Sequence, residues 1–526
     1  MTNTLETLAV ADGGPLPEPA DATLVDVLVR SAEAGTGGIV HIGSTGSAEQ
    51  SYADLLADAA RVLTGIRSAG VRPGAKVLMQ LDHAPDLLAA FWACVLGGYV
   101  PVPVTTSPPP NSPFDAAQLL EGMWGVLGDA WVIADRQFRT SYLGTVDDLR
   151  AADPATSFHR AEPDSPAVLL LTSGSTGLPK AVALTHRNIV SRSAATAAVR
   201  GLSSANRTFN WMPLDHVGGL IMFHARDVFL GCHQVHAPID WVLADPLRWL
   251  DAISEHRCDT TWAPNFAFGL VVDRADEVAA RSWDLSRLGY IMNGGEPIKA
   301  RVANRFLDLL APFGLPPTAM HPGWGMSETT AGVVDCVYPK GMDEEVRFIP
   351  VGTPHPGLSL RVVDAAGAVV PEGVEGRLQA TGLPIMPGYY ANPEQNRQSF
   401  TADGWFKTGD LAYLRDGVLT VTGRVDDVIE VEGVGYFGHE IEAAVEELPF
   451  VAPSYTVACT VPGGLVIFYH PRSGGGSDAE SWRIVDHIAQ RMDVPVHRVV
   501  PVTREQVPKT GIGKLRRAAL AATLVD

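Results

Sequence analysis

The sequence predicts an α/β protein with a large N-terminal domain, residues 1–425, and a small α+β C-terminal domain, residues 426–526. Helical and strand-like patterns alternate to about residue 300, which favours multiple layers built on parallel sheets. After about residue 345, short strand-like runs with Gly and Pro punctuation indicate a β-rich subdomain. Past Gly423 the pattern changes again, to a hairpin, a Gly/Ser-rich loop and a helix, so we place the domain boundary near residues 424–427.

The N-terminal half supplies the clearest individual elements. Residues 52–63 carry apolar side chains at helical spacing, and residues 76–81 have the pattern of a buried strand. Residues 87–104 contain no charge and approach the ~20 residues that a membrane span needs. Glycines 97 and 98 interrupt this run and prolines 101 and 103 end it, so we expect a buried helix followed by a strand.

A second set of elements lies further along the chain. The apolar run Ala167–Leu171 ends at a loop rich in Gly, Ser and Thr, which is typical of a central parallel strand. The segments SYTVACTV and LVIFYH flank residues 462–464 as a hairpin, and PRSGGGSDAES has the composition of a flexible loop. One face of the following helix is predicted to contain Val485, Ile488, Ala489 and Met492.

Composition and charge exclude several classes of protein. Hydrophobic residues make up 46% of the chain and charged residues 19%, which excludes an intrinsically disordered chain. The net charge of −19 argues against broad binding to nucleic acid or an anionic membrane. Five widely separated cysteines indicate neither a zinc site nor a disulfide framework. The N-terminus has no signal-peptide pattern, and we expect a cytoplasmic protein with reduced, mostly buried thiols.

The strongest local motif is TSGSTGLPK, residues 172–180, directly after the Ala167–Leu171 run. Its glycines let backbone N–H groups approach an anion, its hydroxyls add donors, and Lys180 supplies positive charge. It is not a Walker A loop, because Pro179 precedes the lysine and Ala181 follows it. The sequence GSTG also occurs at residues 43–46, where no strand precedes it and no lysine follows, and there we predict a turn.

Seven motifs in order resemble those of the adenylate-forming superfamily, which includes acyl-CoA synthetases, fatty-acyl-AMP ligases, peptide-synthetase adenylation domains and luciferases. The motifs are TSGSTGLPK (172–180), MPLDHVGG (212–219), NGGEP (293–297), GWGMSE (323–328), KTGD (407–410), GRVDD (423–427) and PKTGIGK (508–514). The resemblance covers about residues 25–520 and looks closest to fatty-acyl-AMP ligases and to loading domains of polyketide and peptide assembly lines. It implies a ligase of the acid–thiol type that uses ATP and Mg²⁺ in specialised metabolism, with a mobile C-terminal domain.

The resemblance also implies roles for individual residues. Lys514 is expected to bridge the carboxylate and the α-phosphate, Glu328 to bind Mg²⁺, and the chain to rotate about a hinge at Asp426, with ATP at the domain interface. The expected nucleotide-binding residues are Thr172, Ser173, Gly174, Ser175, Thr176, Gly177, Lys180, Gly294, Gly295, Glu296, Pro297, Trp324, Gly325, Met326, Ser327, Asp410 and Arg424. The expected acyl-pocket residues are His216, which also counts as a candidate catalytic residue, Gly219, Asn265, Phe266 and Met292.

The segment that contains His216 also bears on the identity of the acid. Amino-acid-activating relatives place an Asp, which holds the substrate ammonium, where His216 stands, although neighbouring Asp215 keeps that alternative open. Apolar residues around the expected pocket, including Trp262 and Met326, suit a fatty or bulky apolar acid. The alternative is an aryl- or amino-acid-adenylating enzyme of a peptide assembly line.

The acyl acceptor is expected to be a thiol of a carrier protein or CoA, possibly through a partner enzyme. The sequence departs from the family pattern at two positions, of which the second concerns the acceptor. Ala181 replaces the usual Gly after Lys180, and Glu430 stands where CoA ligases commonly carry lysine. With Glu432 it makes the segment acidic, which disfavours the CoA phosphates by like-charge repulsion. A luciferase-like oxygenase and a non-catalytic carrier-binding scaffold are the other classes considered, whereas no kinase motif accompanies the phosphate loop.

Overall fold

The computed structural model describes residues 7–43, 46–108, 112, 114–139, 141–172, 179–431, 434–461, 463–509 and 515–522. Contacts divide the chain into two compact units. The first unit comprises residues 1–106, 116–408 and 413–420, and the second comprises residues 107–115, 409–412 and 421–526.

The first unit contains most of the strands and helices. Its strands are β1 (Val10–Asp12), β2 (Gly38–Gly43), β3 (Gly46–Ser51), β4 (Lys76–Gln80), β5 (Val100–Pro103), β6 (Trp131–Ala134), β7 (Tyr142–Gly144), β8 (Pro166–Thr172), β9 (Lys180–Thr185), β10 (Arg207–Asn210), β11 (His233–His236), β12 (Thr260–Ala263), β13 (Tyr290–Gly294), β14 (Met320–Met326), β15 (Ala331–Asp335), β16 (Thr353–Pro354), β17 (Leu358–Val363), β18 (Gly376–Gly382) and β19 (Gly388–Tyr389). Strands β20 (Phe406–Arg415) and β21 (Val418–Arg424) begin in this unit.

The helices of the first unit cover these strands. They are α1 (Leu24–Ala34), α2 (Tyr52–Ser68), α3 (Ala84–Gly97), α4 (Ala116–Leu127), α5 (Val146–Arg150), α6 (His186–Arg200), α7 (Arg226–Leu230), α8 (Ile239–Ala244), α9 (Leu247–His256), α10 (Asn265–Val272), α11 (Ala275–Val278), α12 (Ala300–Leu310) and α13 (Pro393–Ser399). A π-helix spans Gly218–Ala225, and 3-10 turns span Ala311–Phe313 and Ser327–Thr329. Capping boxes begin α1, α2, α5 and α6, which explains these helix starts locally.

Within the described residues, the sheets of the first unit place the expected site. A nine-stranded sheet has the order β16-β15-β14-β13-β12-β10-β11-β2-β3, with its central strands parallel and its edges antiparallel. A parallel four-stranded sheet has the order β5-β4-β6-β7. A three-stranded sheet joins β19, β9 and β8, and a five-stranded sheet has the order β1-β17-β18-β20-β21.

The second unit is a small α+β assembly. Its elements are β22 (Val428–Val431), β23 (Val434–Phe437), α14 (Gly438–Val445), β24 (Val457–Val461), β25 (Gly464–Tyr469), α15 (Asp478–Met492), β26 (Val496–Pro501) and α16 (Arg517–Ala522), with 3-10 turns at Val425–Asp427 and Arg504–Gln506. Strands β24 and β25 form the predicted antiparallel hairpin, and β26 pairs parallel to β25. Buried Ile441, Ile467, Ile484 and Ile488 lie in its core.

Several predicted elements are confirmed. Residues 87–104 form the buried helix α3 followed by β5, and Gly98 ends the helix with a φ of 70°. Among the described helices, none has both the length and the apolar character to cross a membrane. The short strands predicted after residue 345 are β17, β18 and β21. All five cysteines are free, and four of them are buried.

Two predictions are wrong in detail. Strand β8 is not a central parallel strand, since it pairs antiparallel to β9 at the other end of the TSGSTGLPK loop. Its apolar run reflects burial, in contact with β5, rather than strand direction. In α15 the buried stripe is Ile484 and Ile488, whereas Ala489 is exposed, so the predicted face is displaced around the helix. The GSTG turn falls partly on residues 44–45, which lie outside the described residues, although Gly43 and Gly46 pair across a hairpin.

Candidate active site

The predicted phosphate loop closes the hairpin of β8 and β9. Thr172 and Lys180 are paired residues on these strands, and the Thr172 hydroxyl donates to the Lys180 carbonyl over 3.4 Å. Ser173, Gly174, Ser175, Thr176 and Gly177 lie outside the described residues. The loop therefore starts and ends at two adjacent backbone positions, which fixes the lysine at its exit.

Lys180 is held by neutral partners. Its Nζ donates to Gln395 Oε1 over 2.8 Å and lies 5.4 Å from the centre of the Tyr389 ring. An amide and a ring face orient an ammonium without neutralising it. The positive charge thus stays available for an anion such as a phosphate.

Glu328 is joined to Lys180 through Tyr389. Its Oε1 accepts a hydrogen bond from the Tyr389 hydroxyl over 2.8 Å, and its carbonyl accepts one from Met386 N–H over 2.9 Å. Tyr389 therefore contacts both the lysine and the carboxylate. Sequence reasoning missed Tyr389 and Gln395, which belong to the segment GYYANPEQ and lie outside the seven motifs.

The backbone around Glu328 is unusually constrained. Thr330 and Ala331 adopt φ values of 59° and 80°, which non-glycine residues rarely do. The Thr330 hydroxyl donates to Pro384 O over 2.6 Å and holds this turn in place. A Cβ on Gly325 would lie 2.0 Å from Ala331 O, so the register shift after Trp324 requires glycine there. Ser327 begins the short 3-10 turn that carries Glu328.

The expected adenine loop follows the carboxyl end of β13. Strands β12, β13 and β14 are parallel and end side by side, an arrangement that creates ligand crevices in α/β proteins. A Cβ on Gly294 would lie 2.7 Å from Gly323 O, and Gly295 has a φ of 87°. Pro297 is exposed on this loop, and Trp324 and Met326 lie on the neighbouring strand. The fully buried Asn293 Oδ1 has no hydrogen-bond partner among the described residues.

Two hydrogen bonds join this loop to helix α10. Glu296 Oε1 accepts from Phe266 N–H over 2.6 Å, and Asn265 Oδ1 accepts from Lys299 N–H over 3.2 Å. The structure thus brings Asn265 and Phe266, predicted for the acyl pocket, against the loop predicted for the nucleotide. The Glu296 carboxylate serves the backbone here.

The acid-binding segment predicted around His216 leads into the π-helix. His216 Nδ1 accepts from Gly218 N–H over 3.1 Å, which orients the ring. A Cβ on Gly219 would lie 2.2 Å from Pro213 O, and one on Gly218 would lie 2.2 Å from the Trp262 ring. Met292 pairs with Trp262 on adjacent strands. A π-helix is rare and is often found at functional sites.

Asp215 is the neighbouring carboxylate that keeps open the alternative of an amino-acid substrate. Burial raises the pKa of Asp215, opposed by a hydrogen bond with the Thr105 side chain. A raised pKa means that the environment disfavours the charged form. Asp215 is therefore less readily charged than an exposed carboxylate.

A buried polar network supports this segment from below. His224 Nε2 accepts from the Trp92 indole over 2.8 Å, and His224 Nδ1 contacts Gln234 Oε1 at 2.9 Å. Burial lowers the pKa of His224 to about 3, so the ring is neutral and Nδ1 carries the proton. Asn210 contacts His236 Nδ1 at 3.0 Å and bonds both the N–H and the carbonyl of Met212, where the acid segment begins.

The second unit contains the residues expected for the ribose and the hinge. Arg424 Nε lies 3.5 Å from Asp410 Oδ1, and Asp410 is 5% exposed. Gly409 precedes it with a φ of 79°, and a Cβ there would lie 2.9 Å from Arg424 Nη2. Asp426 lies in the 3-10 turn Val425–Asp427. Lys514 lies outside the described residues.

The described residues of the first unit fit the magnesium nucleotide that the resemblance implies. Mg²⁺ that arrives on a nucleotide takes most of its ligands from phosphates and water, so one carboxylate from the protein suffices. Glu328 would supply that carboxylate, and no group of three or more His, Cys, Asp or Glu suited to a metal occurs in the described part of the chain. The orphaned Asn293 Oδ1 leaves an acceptor beside the expected adenine loop, and glycine at position 294 permits the close approach of Gly323 O.

Comparison with known proteins identifies the family. A family model described as AMP-binding enzyme matches residues 128–390. Aspulvinone E synthetase melA of Aspergillus terreus (strain NIH 2624 / FGSC A1156) is 32% identical over 535 residues, which cover 95% of this chain and 58% of that protein. The chain spans about half the length of the curated relatives it matches.

Solved structures are similar over nearly the whole chain. McyG A-PCP complexed with phenylalanyl-adenylate has a TM-score of 0.91 at 34% identity, covering 98% of this chain and 85% of that one. The adenylation domain of a keto acid-selecting NRPS module bound to keto acyl adenylate has a TM-score of 0.77 at 36% identity, covering 94% and 100%. Fatty acyl-adenylate ligases from E. coli and L. pneumophila have a TM-score of 0.85 at 24% identity, covering 97% and 99%, which shows the fold alone.

These similarities confirm the predicted fold class, with a large N-terminal α/β domain and a small C-terminal domain. They also confirm the family resemblance from which ATP and Mg²⁺ are expected. The chain belongs to the AMP-binding enzyme family, an adenylate-forming family of ligases that use ATP and Mg²⁺.

Proposed function

We propose that this chain activates a carboxylic acid that lacks an α-ammonium group, forming an acyl-adenylate with release of pyrophosphate. The carboxylate oxygen attacks the α-phosphorus of ATP, and pyrophosphate leaves. The observation that carries the proposal is His216, which stands where amino-acid-activating relatives place an Asp and whose Nδ1 accepts from Gly218 N–H. Burial also raises the pKa of the neighbouring Asp215.

The side chain of the acid is proposed to be bulky and apolar. Gly218 lies against the Trp262 ring, and Met292 is the partner of Trp262 on the adjacent strand, so apolar groups come together in the predicted pocket segment. The adenylation domain bound to keto acyl adenylate is 36% identical to this chain, which supports a keto acid as the leading candidate. A fatty acid is a further candidate of the same apolar class.

An aryl- or amino-acid substrate remains the alternative. The McyG structure, complexed with phenylalanyl-adenylate, supports it at 34% identity. A substrate ammonium needs a charged carboxylate close by. The Glu296 carboxylate accepts from the Phe266 backbone and burial raises the pKa of Asp215, so we rank an α-amino acid second.

The thiol acceptor is proposed to be a carrier-protein phosphopantetheine rather than CoA. Glu430 is exposed on β22, where an acidic side chain opposes the CoA phosphates. A carrier reached directly or through a partner enzyme fits the likeness to McyG A-PCP. The roles that the resemblance implies for Asp410, Arg424, Lys514 and the hinge at Asp426 belong to this proposal.

Acid-dependent pyrophosphate release tests the substrate, across keto, fatty, aryl and α-amino acids of matched size. We expect turnover with keto or simple apolar acids and at least tenfold less with the matching α-amino acids, about the effect of one unpaired buried charge. Preference for the α-amino acids would contradict the proposal. Rapid acyl-CoA formation by the purified chain would contradict the choice of acceptor.

A further inference from the structure

A fully buried arginine lies beside the predicted acid pocket and is not explained by the nucleotide chemistry. Arg192, on α6, is 1% exposed. Its Nε donates to Gly332 O over 3.1 Å and its Nη1 donates to Met222 O over 3.3 Å. Among the described residues, no carboxylate lies within ion-pair distance of it, and Nη2 has no hydrogen-bond partner there.

The charges near Arg192 do not balance. Arg226 and Asp227 are both fully buried and form an ion pair, in which Arg226 Nε and Nη2 both donate to Asp227 Oδ1, over 2.9 and 2.7 Å. Asp335, the next buried acid, bonds Arg200, His355 and Tyr290 instead. Burial and the charge of Arg226 lower the pKa of Arg192 to about 10, which still leaves it protonated at neutral pH. One buried positive charge is thus left without an anionic partner in the described surroundings.

Arg192 lies close to Met292, a residue of the predicted acyl pocket. A methyl group built on Gly332 would lie 2.3 Å from Met292 Cε and 4.0 Å from Arg192 Nη2. The Met292 thioether and the guanidinium therefore border the same face of Gly332. Met292 belongs to the predicted acyl pocket and pairs with Trp262 on the neighbouring strand. A methionine side chain is flexible enough to yield to a substrate.

A purely structural role explains less of this arrangement. Removing a guanidinium from water costs several kcal/mol unless its donors are paired, and apolar side chains of similar size serve a core as well or better. A second buried donor nearby, Arg226 Nη1, also has no partner among the described residues. Arg192 Nη2, a donor without a partner among the described residues that lies beside Gly332, is what recognition of an oxygen acceptor requires.

We propose that Arg192 determines specificity, with Nη2 donating to an oxygen acceptor on the end of the substrate side chain that is remote from the carboxyl group. The substrate is then a bulky acid whose remote end carries a hydroxyl or carbonyl oxygen. This inference rests on the proposed function, because it names a feature of the same acid.

The test compares matched acids with the full chain, ATP and Mg²⁺, following pyrophosphate release. The pairs are a phenyl keto acid and its para-hydroxy analogue, and a straight-chain acid and its ω-hydroxy analogue. Wild type should favour at least one oxygen-bearing member by about tenfold to a hundredfold in kcat/KM, the range for one hydrogen bond to a charged group. Arg192→Met should remove that preference, and Arg192→Lys should retain part of it.

Arg187→Met is the matched control, because Arg187 lies on the same helix but is exposed and pairs with Asp164. It should keep the wild-type preference. Equal turnover of both members of every pair by wild type would overturn the inference and leave the proposed function standing. Pyrophosphate release with no acid at all would overturn both. If Arg192→Met does not fold, the wild-type ratios and the Arg192→Lys ratio decide.

Discussion

Replacing Tyr389 with phenylalanine isolates one hydrogen bond at the proposed magnesium ligand. The hydroxyl donates to Glu328 Oε1 over 2.8 Å, while the ring lies 5.4 Å from Lys180 Nζ. Phenylalanine keeps the ring beside the lysine and removes only the hydroxyl. A hydrogen bond to a charged group contributes about 1.5–3 kcal/mol. The Mg²⁺ concentration for half-maximal activity should therefore rise by about tenfold to a hundredfold, as is usual for partners of metal ligands.

The assay is acid-dependent pyrophosphate release over a Mg²⁺ titration at fixed ATP. Tyr390→Phe is the matched control, since its hydroxyl accepts from Lys76 Nζ over 3.1 Å and its ring lies 5.3 Å from that ammonium. This variant deletes the same atom from the next residue but leaves Glu328 untouched. An unchanged Mg²⁺ requirement in Tyr389→Phe, or an equal shift in both variants, would refute the role of Tyr389.

Two further predictions concern pH and packing. Acidification below pH ~6.5 should lower the free energy of unfolding, because burial lowers the pKa of His186 to about 4 and of His224 to about 3. Both stay neutral when folded and accept hydrogen bonds from Leu24 N–H and the Trp92 indole, whereas the unfolded chain takes up protons. Each histidine lowers the free energy of unfolding by about 1.4 kcal/mol for every pH unit between pH ~6.5 and its lowered pKa, a loss measurable by urea titration. Gly219→Ala should reduce kcat/KM at least tenfold, since its methyl would meet a backbone oxygen at 2.2 Å.

Each of these predictions has a control. His83 is exposed, so His83→Gln should keep the acid-induced loss of stability, whereas a variant with Gln at both 186 and 224 should reduce its slope. The remaining slope comes from other buried histidines whose pKa is lowered, among them His236. An unchanged slope in that double variant would contradict the assignment. Gly125 has nothing within 4 Å of a built Cβ, so Gly125→Ala should keep full activity. Equal activity of the Gly219→Ala variant would show that the acid segment tolerates the displacement.

Local rules predicted the elements whose ends the sequence specifies. Gly98 ends α3, Pro103 is the last residue of β5, and capping residues such as Thr23 and Ser51 begin helices. The direction of β8 was not predictable, because an apolar run reports burial on both faces and says nothing about which strand pairs beside it. Strand β8 pairs with β9 because the two strands form the hairpin that joins Thr172 to Lys180.

The motifs located most of the candidate site but not its internal contacts. Lys180 and Gln395 are 215 positions apart, and no spacing rule joins them. Tyr389 likewise reaches Glu328 only through the pairing of β19 with β9. The charge state of Asp215 depends on burial, which the sequence alone does not give. Arg192 reads in sequence as one more polar residue of α6, and only its burial singles it out.

The central claim is that the carboxylate of an acid attacks the α-phosphorus of ATP. An acid labelled with ¹⁸O in both carboxyl oxygens tests it most directly, with mass spectrometry of the nucleotide after the acyl group has passed to a thiol. We predict AMP that contains one ¹⁸O and pyrophosphate that contains none. Label in inorganic phosphate with formation of ADP, or unlabelled AMP, would contradict the account.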